Sequence, residues 1–298
     1  MTHGPGDNVG IGNFGSGNMT FNGPVTGQSF WAAPNRPAAA SKVDVGVLTV
    51  LKEEMRAVVN VLRTQRDYRP RRLDAGPLAH EARLPVEAGH LRIAAIQTLD
   101  RGPRSAGLSY QTLIQEYAPP VVLLVGIAGG VGRDVRIGDV VLSDEVVYYD
   151  ARREAADGVH RRGQSQTVAA SLGHRLNEFF AATGDTVPAS DGSTFRVHRG
   201  PIGSGDAVIT DRDSEIRHWL HTYNEKVLAV ETEAAGVAQA FHEEMRRDST
   251  PRGWLTVRGI SDAADAEKGH SYHELASQHA AAAMLRLLPY LLFDPPAS

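Results

Sequence analysis

The sequence predicts an α/β fold of three layers, with helices on both faces of a central sheet. Two observations carry this. From residue 43 onward, short apolar runs alternate with segments whose apolar residues recur at helical spacing. The run Val121-Val122-Leu123-Leu124-Val125 is apolar without alternation, as expected of a strand covered on both faces.

The elements follow in order. Val43, Val45, Val47 and Val50 predict a strand, and Met55, Val58, Val59 and Leu62 predict a helix directly after it. Residues 91–99 read as a strand through Ile93, Ala95 and Ile96. A helix over 105–117 is stopped by Pro119-Pro120. After the 121–125 strand come short strands at 140–142 and 146–148. A helix over 169–182 places Leu172, Leu176 and Phe179 on one face. Residues 227–230 form a buried strand that runs into a helix from Glu233. The last strand covers 254–260, and a closing helix over 272–292 carries Leu275, Met284, Leu288 and Leu291. These elements make one domain, 43–298. Residues 1–42 stand apart as a Gly/Asn-rich tail and linker, too poor in apolar side chains to offset their ordering entropy.

Composition narrows the function. Hydrophobic residues are 42% and charged residues 22% of the 298, as in folded soluble proteins. The formal net charge of −4 offers no global basic field for nucleic acid or an anionic membrane. The absence of cysteine removes disulfides, thiolate nucleophiles and cysteine zinc sites. No apolar stretch has the length of a membrane span and the N-terminus lacks the pattern of a signal peptide, so a cytoplasmic location is the expectation. No metal or cofactor is expected.

Four apolar segments end in small or acidic residues: 48–54, 125–130, 230–235 and 257–262. Ligands of open α/β folds gather beyond such strand ends. A fifth, Ser204-Gly205-Asp206, follows a weaker strand. Gly126-Ile127-Ala128-Gly129-Gly130 lets backbone approach a ligand closely, and a tight strand-to-loop turn is the equal alternative. Its spacing is not that of a dinucleotide fingerprint.

The run LLVGIAGGVGRDVRIGDVVLSDEVVYYD at 123–150 resembles the nucleoside phosphorylase/nucleosidase superfamily, and within it the 5′-methylthioadenosine/S-adenosylhomocysteine nucleosidases. VGVLTVLKEEM (45–55), SGDAVI (204–209), AVETEAAGVA (229–238) and VRGISDAAD (257–265) continue the resemblance in the family's order. It spans residues 43 to 292. It implies the phosphorylase-type αβα fold with a mixed sheet and a dimeric or hexameric assembly. It also implies a role for each matched residue. Glu54 would orient and deprotonate the attacking water, Glu233 would bind the ribose hydroxyls, and Asp262, beside Ser261, would protonate a purine at N7. Arg258 would lie near the water and its carboxylate. Ala128 and Gly129 would lie along the sugar, and Val208 and Ile209 along the base. Thr232 and Glu231, beside Glu233, and Ser261, beside Asp262, would join in binding the substrate.

The implied chemistry needs these residue types. Departure of the base leaves an oxocarbenium-like sugar, and the purine departs as an anion unless an acid supplies a proton. An ordinary aspartate, with pKa ~3.9, is ionised at neutral pH, so the acid at N7 must be shifted upward or share a proton through the purine. The base must be ionised, which the nearby Arg258 would favour. Plainer readings compete. Glu54 and Glu233 also suit helix starts, Asp262 suits a turn, and Glu231 is as well read as structural. Arg258, within an apolar strand, demands a buried partner. His270 and His273 read as solvated, and the tryptophans as core.

Departures from the family are informative. Its phosphorylases hold phosphate with Arg and Ser where this chain has Leu124 and Ile127, neither of which has a side-chain donor. Water is then the favoured nucleophile. An aromatic expected against adenine is Val208, and a Met expected between the two glutamates is Thr232. Arg101, Arg104, Arg133, Arg136, Lys268 and His270 lie near motif ends as candidates for a 5′-phosphate chain, which keeps AMP or ATP open. The segment NFGSGNMTFNGPVTG at 13–27 resembles amyloid-like signalling motifs that precede bacterial effector domains. That implies a defence effector engaging a sensor protein through residues 8–27 by stacked strands. A disordered leader is the other reading. A phosphorylase and a catalytically silent sensing module remain the competing functions.

Overall fold

The computed structural model describes residues 42–87, 89–189, 191–245, 252–266 and 270–293. The tail expected over 1–42, apart from Lys42, lies outside the described residues together with its 8–27 motif, and so does Lys268.

β1 (Val45–Thr49) leads at once into α1 (Lys52–Arg63). β2 (Arg66–Arg72), β3 (Leu78–Val86) and β4 (Gly89–Gln97) follow as an antiparallel meander. α2 (Pro103–Tyr117) precedes the long β5 (Val121–Gly130). Five short strands come next: β6 (Val140–Ser143), β7 (Glu145–Tyr148), β8 (Arg152–Ala155), β9 (Gly158–Arg161) and β10 (Gln164–Thr167). α3 (Ala170–Thr183), β11 (Thr186–Pro188), β12 (Thr194–Arg199), β13 (Ile202–Ser204) and α4 (Glu215–Tyr223) lead to β14 (Ala229–Glu231). α5 (Ala234–Met245), β15 (Gly253–Asp262) and α6 (His273–Leu287) complete the chain, with a 3-10 turn at Leu288–Leu291. Pro289 has no N–H to continue the helix, so the closing helix expected to 292 tightens there instead.

β5 organises the sheet. Its first half pairs with β1 on one edge, and nearly its whole length pairs in parallel with β15 on the other. Beyond the end of β1, Gly129 and Gly130 pair with β14 in antiparallel fashion. β13, β7 and β10 extend the sheet from β14, and β6, β12 and β11 extend it from β15. The sheet is mixed, as the resemblance implied. The glycine run at 126–130 is strand throughout, and none of its glycines has positive φ, so the turn alternative does not apply.

Side chains of β1 and β5 alternate between two apolar layers, because successive strand residues point to opposite faces. Val45, Val47, Leu123 and Val125 join Val58, Leu62, Phe179 and Met284 in one core, under α1, α3 and α6. Leu48, Val122 and Leu124 join Tyr110, Leu113, Val237 and Phe241 in the other, under α2 and α5. A smaller cluster around Leu220 of α4 holds Val147, Tyr149, Ile209, Val230 and Ala264. This is the three-layer arrangement. Helix approach is close where glycine permits it. A Cβ at Gly236 would meet the Pro103 carbonyl oxygen at 1.8 Å, and one at Gly259 would meet that of Ala276 at 2.0 Å. Among the described residues no helix is long and apolar enough to cross a membrane.

Candidate active site

Arg258 sits in the middle of β15, where every residue is buried, and its side chain is 0% exposed. A buried guanidinium requires anionic partners. Its Nη2 donates to Glu231 Oε2 and, at 3.3 Å, to Glu233 Oε2, while Nη1 lies 4.0 Å from Glu54 Oε1. Glu54 comes from the first turn of α1, just beyond β1, and Glu231 and Glu233 from the end of β14, so the fold brings Glu54 to the neighbouring pair. The register sets Arg258 opposite Gly126. A Cβ at Gly126 would stand 2.3 Å from Glu54 Oε1 and 2.4 Å from Arg258 Nη1, which explains the glycine.

Glu54 is 2% exposed. Its Oε2 accepts the N–H groups of Val50 (2.7 Å) and Leu51 (2.8 Å), and its Oε1 accepts that of Ile127 (2.9 Å). The bond from Leu51 is the helix-start role of a first-turn acid. The bond from Ile127, on β5, and the approach of Arg258 go beyond that role. Burial pushes the Glu54 carboxyl above the ordinary glutamate range, and Arg258 and the amides only partly pull it back. Arg258 favours the ionised form, in the direction expected from the sequence, but desolvation of a fully enclosed carboxylate outweighs a guanidinium 4.0 Å away.

Glu231 works in two directions. It accepts the N–H of Glu233 at 3.0 Å and that of Ala234 at 3.0–3.1 Å, capping the start of α5, and it pairs with Arg258. Burial raises its carboxyl, Arg258 lowers it, and neighbouring Glu233 raises it further. Burial disfavours the charge on Arg258, but the three glutamates outweigh that and hold it above the usual arginine range. Glu233 Oε1 accepts the Gly102 N–H at 3.0 Å and the Thr232 hydroxyl at 2.5 Å.

Asp262 ends β15 after a bulge at Ser261, which sets it opposite Gly129. A bulge re-aims the next side chain. The Ser261 hydroxyl donates to Asp262 Oδ2 at 2.8 Å, and the Ala264 N–H donates to Oδ1 at 2.9 Å from a left-handed backbone with φ +50. A Cβ at Gly129 would come within 2.9 Å of Asp262 Oδ1. The fold thus brings Ala128, Gly129, Ser261 and Asp262 together on one side. Of the pair expected along the base, Ile209 is buried in the apolar cluster that includes Ala264, whereas Val208 is 60% exposed.

Leu124 lies in the core, and Ile127 offers Glu54 only its backbone N–H. The cationic candidates disperse. Arg104 lines a groove of about 690 Å³ with Tyr148 and Asp206, between α2 and α5. Arg101 and Arg136 are exposed, Arg133 lines a different cleft, and His270 packs its ring edge-on against His273. Gly102, at φ +94 ahead of Pro103, was not singled out from the sequence, although a Gly-Pro pair at a helix start marks such a turn. Ser204, whose hydroxyl accepts the Ala235 N–H, carried no sequence signal of that contact. Among the described residues no three His, Cys, Asp or Glu side chains group to hold a metal ion.

Residues 44–292 match the family model of the phosphorylase superfamily. A 5′-methylthioadenosine/S-adenosylhomocysteine nucleosidase of Actinobacillus succinogenes is 33% identical over 175 residues, which are 58% of this chain and 69% of that protein. ATP nucleosidase Cap17 of Escherichia coli is 26% identical over 254 residues, 79% of this chain and 49% of its own, so the chain spans about half of that relative. Among solved structures, the methylthioadenosine/adenosylhomocysteine nucleosidase of Neisseria meningitidis, in complex with methylthio-immucillin-A, superposes with a TM-score of 0.64. It shares 20% identity over 82% of this chain and 98% of that one.

Proposed function

The chain belongs to the phosphorylase superfamily, and on that premise we propose that it hydrolyses the N-glycosidic bond of a purine nucleoside or nucleotide, releasing the free base. The observation that carries the reading is the set of Glu54, Glu231 and Glu233 around Arg258, with Asp262 across Gly129. Glu54 is the base for water. Its raised pKa makes it the stronger base once ionised, and Arg258 Nη1, which has no hydrogen-bond partner among the described residues, supplies a donor beside it. Glu233 takes the ribose hydroxyls and favours positive charge on the sugar. Asp262 gives N7 its proton, held to its task by Ser261 and the Ala264 amide. Glu231 and Thr232 position Glu233 and Arg258. Ala128 and Gly129 flank the sugar, and Ile209 and Val208 the base.

Adenine is the base we favour, as the names of the curated relatives support. Arg104, the second residue of α2 and two positions from the Glu233 contact at Gly102, supports a 5′-phosphorylated substrate such as ATP. The tail's resemblance to signalling motifs supports an effector role in antiviral defence, in a cytoplasmic homo-oligomer that engages a sensor protein through residues 8–27. The test is chromatography of free base after incubation with adenosine, methylthioadenosine, AMP and ATP, with and without phosphate. Base released equally without phosphate is expected. Release only with phosphate would establish the phosphorylase instead, and no release by an intact chain that still binds these ligands would establish the silent module.

A further inference from the structure

A second cleft, of about 810 Å³, opens between the β5–β6 connection and α4 and shares no lining residue with the carboxylate site. Arg133, Arg217 and His221 face it, above Val227 and Leu228. Arg133 is exposed and makes no ion pair or hydrogen bond among the described residues. Arg217 has no carboxylate within ion-pair distance among them either, and only its Nη1 is engaged, donating to the carbonyl oxygens of Ala263 (3.1 Å) and Ala264 (3.5 Å). The other cations at the rim are spent, Arg199 on Asp144 and His198 on Asp139. Asp134 and Glu225 also face the cleft, yet neither pairs with Arg133 or Arg217. Two unpaired guanidinium groups and an imidazole thus converge on one concavity.

We propose that this cleft is an anion-binding site that takes a phosphate-class oxyanion between Arg133, Arg217 and His221. Guanidinium forks match the oxygens of such an anion. The local field agrees. Burial and then Arg212 hold Arg217 below the usual arginine range, with Asp265 and Asp213 opposing. Burial, Arg217 and Arg133 hold His221 below the usual histidine range, against a hydrogen bond to the Val131 backbone. A bound anion relieves this mutual repulsion. It also engages the side chain that secures the Ala263–Ala264 carbonyls, and the Ala264 amide is what holds Asp262. Free phosphate and the phosphate chain of a nucleotide share this chemistry.

The full chain, with histidine labelled for NMR and His221 assigned through His221→Gln, tests the site at fixed pH and ionic strength. Inorganic phosphate and cytidine triphosphate, which carries the phosphate chain without a purine, are titrated against a chloride control. A saturable shift of His221 toward the protonated form is expected. The larger response identifies the source, free ion or nucleotide chain. In Arg133→Gln, on an exposed loop and outside the reaction site, the affinity falls about tenfold for loss of one charge-assisted contact. A His221 signal unmoved by either probe up to about 10 mM, or equal affinity in Arg133→Gln, would overturn the proposal. No turnover enters the measurement, so its failure is separate from failure of the nucleosidase reading.

Discussion

Replacing Gly126 by alanine puts a methyl group where Glu54 and Arg258 meet. The added Cβ would stand 2.3 Å from Glu54 Oε1 and 2.4 Å from Arg258 Nη1, an overlap of about 1 Å with each relative to ordinary contact. Neither neighbour has room to retreat. Glu54 is tied to three backbone amides at 2.7–2.9 Å, and Arg258 is fully enclosed between Glu231 and Glu233. Overpacking of this kind costs about 1–3 kcal/mol. Loss of the Ile127–Glu54 bond, which has a charged acceptor, adds about 1.5–3 kcal/mol. The expected destabilisation is therefore about 2.5–6 kcal/mol by urea unfolding. A base displaced by about 1 Å lowers kcat/KM for purine release by on the order of 10²-fold. Gly173→Ala in α3 is the control, since its Cβ would meet only Arg199 Nη2, at 3.6 Å. That variant should be neutral or up to about 1 kcal/mol more stable. A Gly126→Ala protein within about 0.5 kcal/mol of the parent, with unchanged kcat/KM, would refute the reasoning.

The remaining predictions concern charge and packing. Glu54 and Glu231 are both raised above the ordinary value of 4.5, so the folded state holds their protons more tightly than the unfolded state does. Their contribution to stability is present below pH 4.5 and is lost as pH rises through the raised values. Urea unfolding across that window should show stability falling with pH, with a shallower slope in Glu231→Gln. Activity runs the other way, and kcat/KM should drop as pH falls through the raised Glu54 value, because the base must be ionised. Arg258→Met leaves three buried carboxylates without their cation and should cost about 3–5 kcal/mol in unfolding free energy. An effect below about 1 kcal/mol would mean the carboxylates are not charged together. Asp262→Asn should keep thermal stability within a few degrees while cutting purine release by about 10²–10⁴-fold, as loss of a general acid does. Gly236→Ala drives a Cβ to 1.8 Å from the Pro103 carbonyl oxygen and should part α2 from α5, pulling the Gly102 N–H away from Glu233. A raised KM with lowered stability is expected, and a stability loss with unchanged KM would detach Gly102 from the site.

The central elements were legible because their physics is local. The strands at β1 and β5 are runs of apolar and small residues, β15 is apolar over most of its length apart from Arg258, and α1 shows its apolar stripe without ambiguity. β2 escaped because Arg66-Asp67-Tyr68-Arg69-Pro70-Arg71-Arg72 is an edge strand whose side chains are mostly in water, so it has no period to read. The β8–β9 hairpin and β10 escaped for the same reason, since nearly all their residues are exposed. α4 has a single fully buried residue, Leu220, too little for a helical stripe.

The sequence by itself determined the layered α/β architecture, the family motifs and the identity of the acidic residues at the strand ends, because strand and helix periods and strand-end chemistry are written in neighbouring residues. Tertiary structure decided what those acids are to one another. Only the branching of β5 between β1, β15 and β14 brings Glu54 and Glu231 onto the same guanidinium, 27 residues separating Arg258 from Glu231 along the chain. Only enclosure from all sides raises the Glu54 carboxyl despite Arg258, and desolvation is a property of the whole surrounding volume that no local stretch of sequence carries.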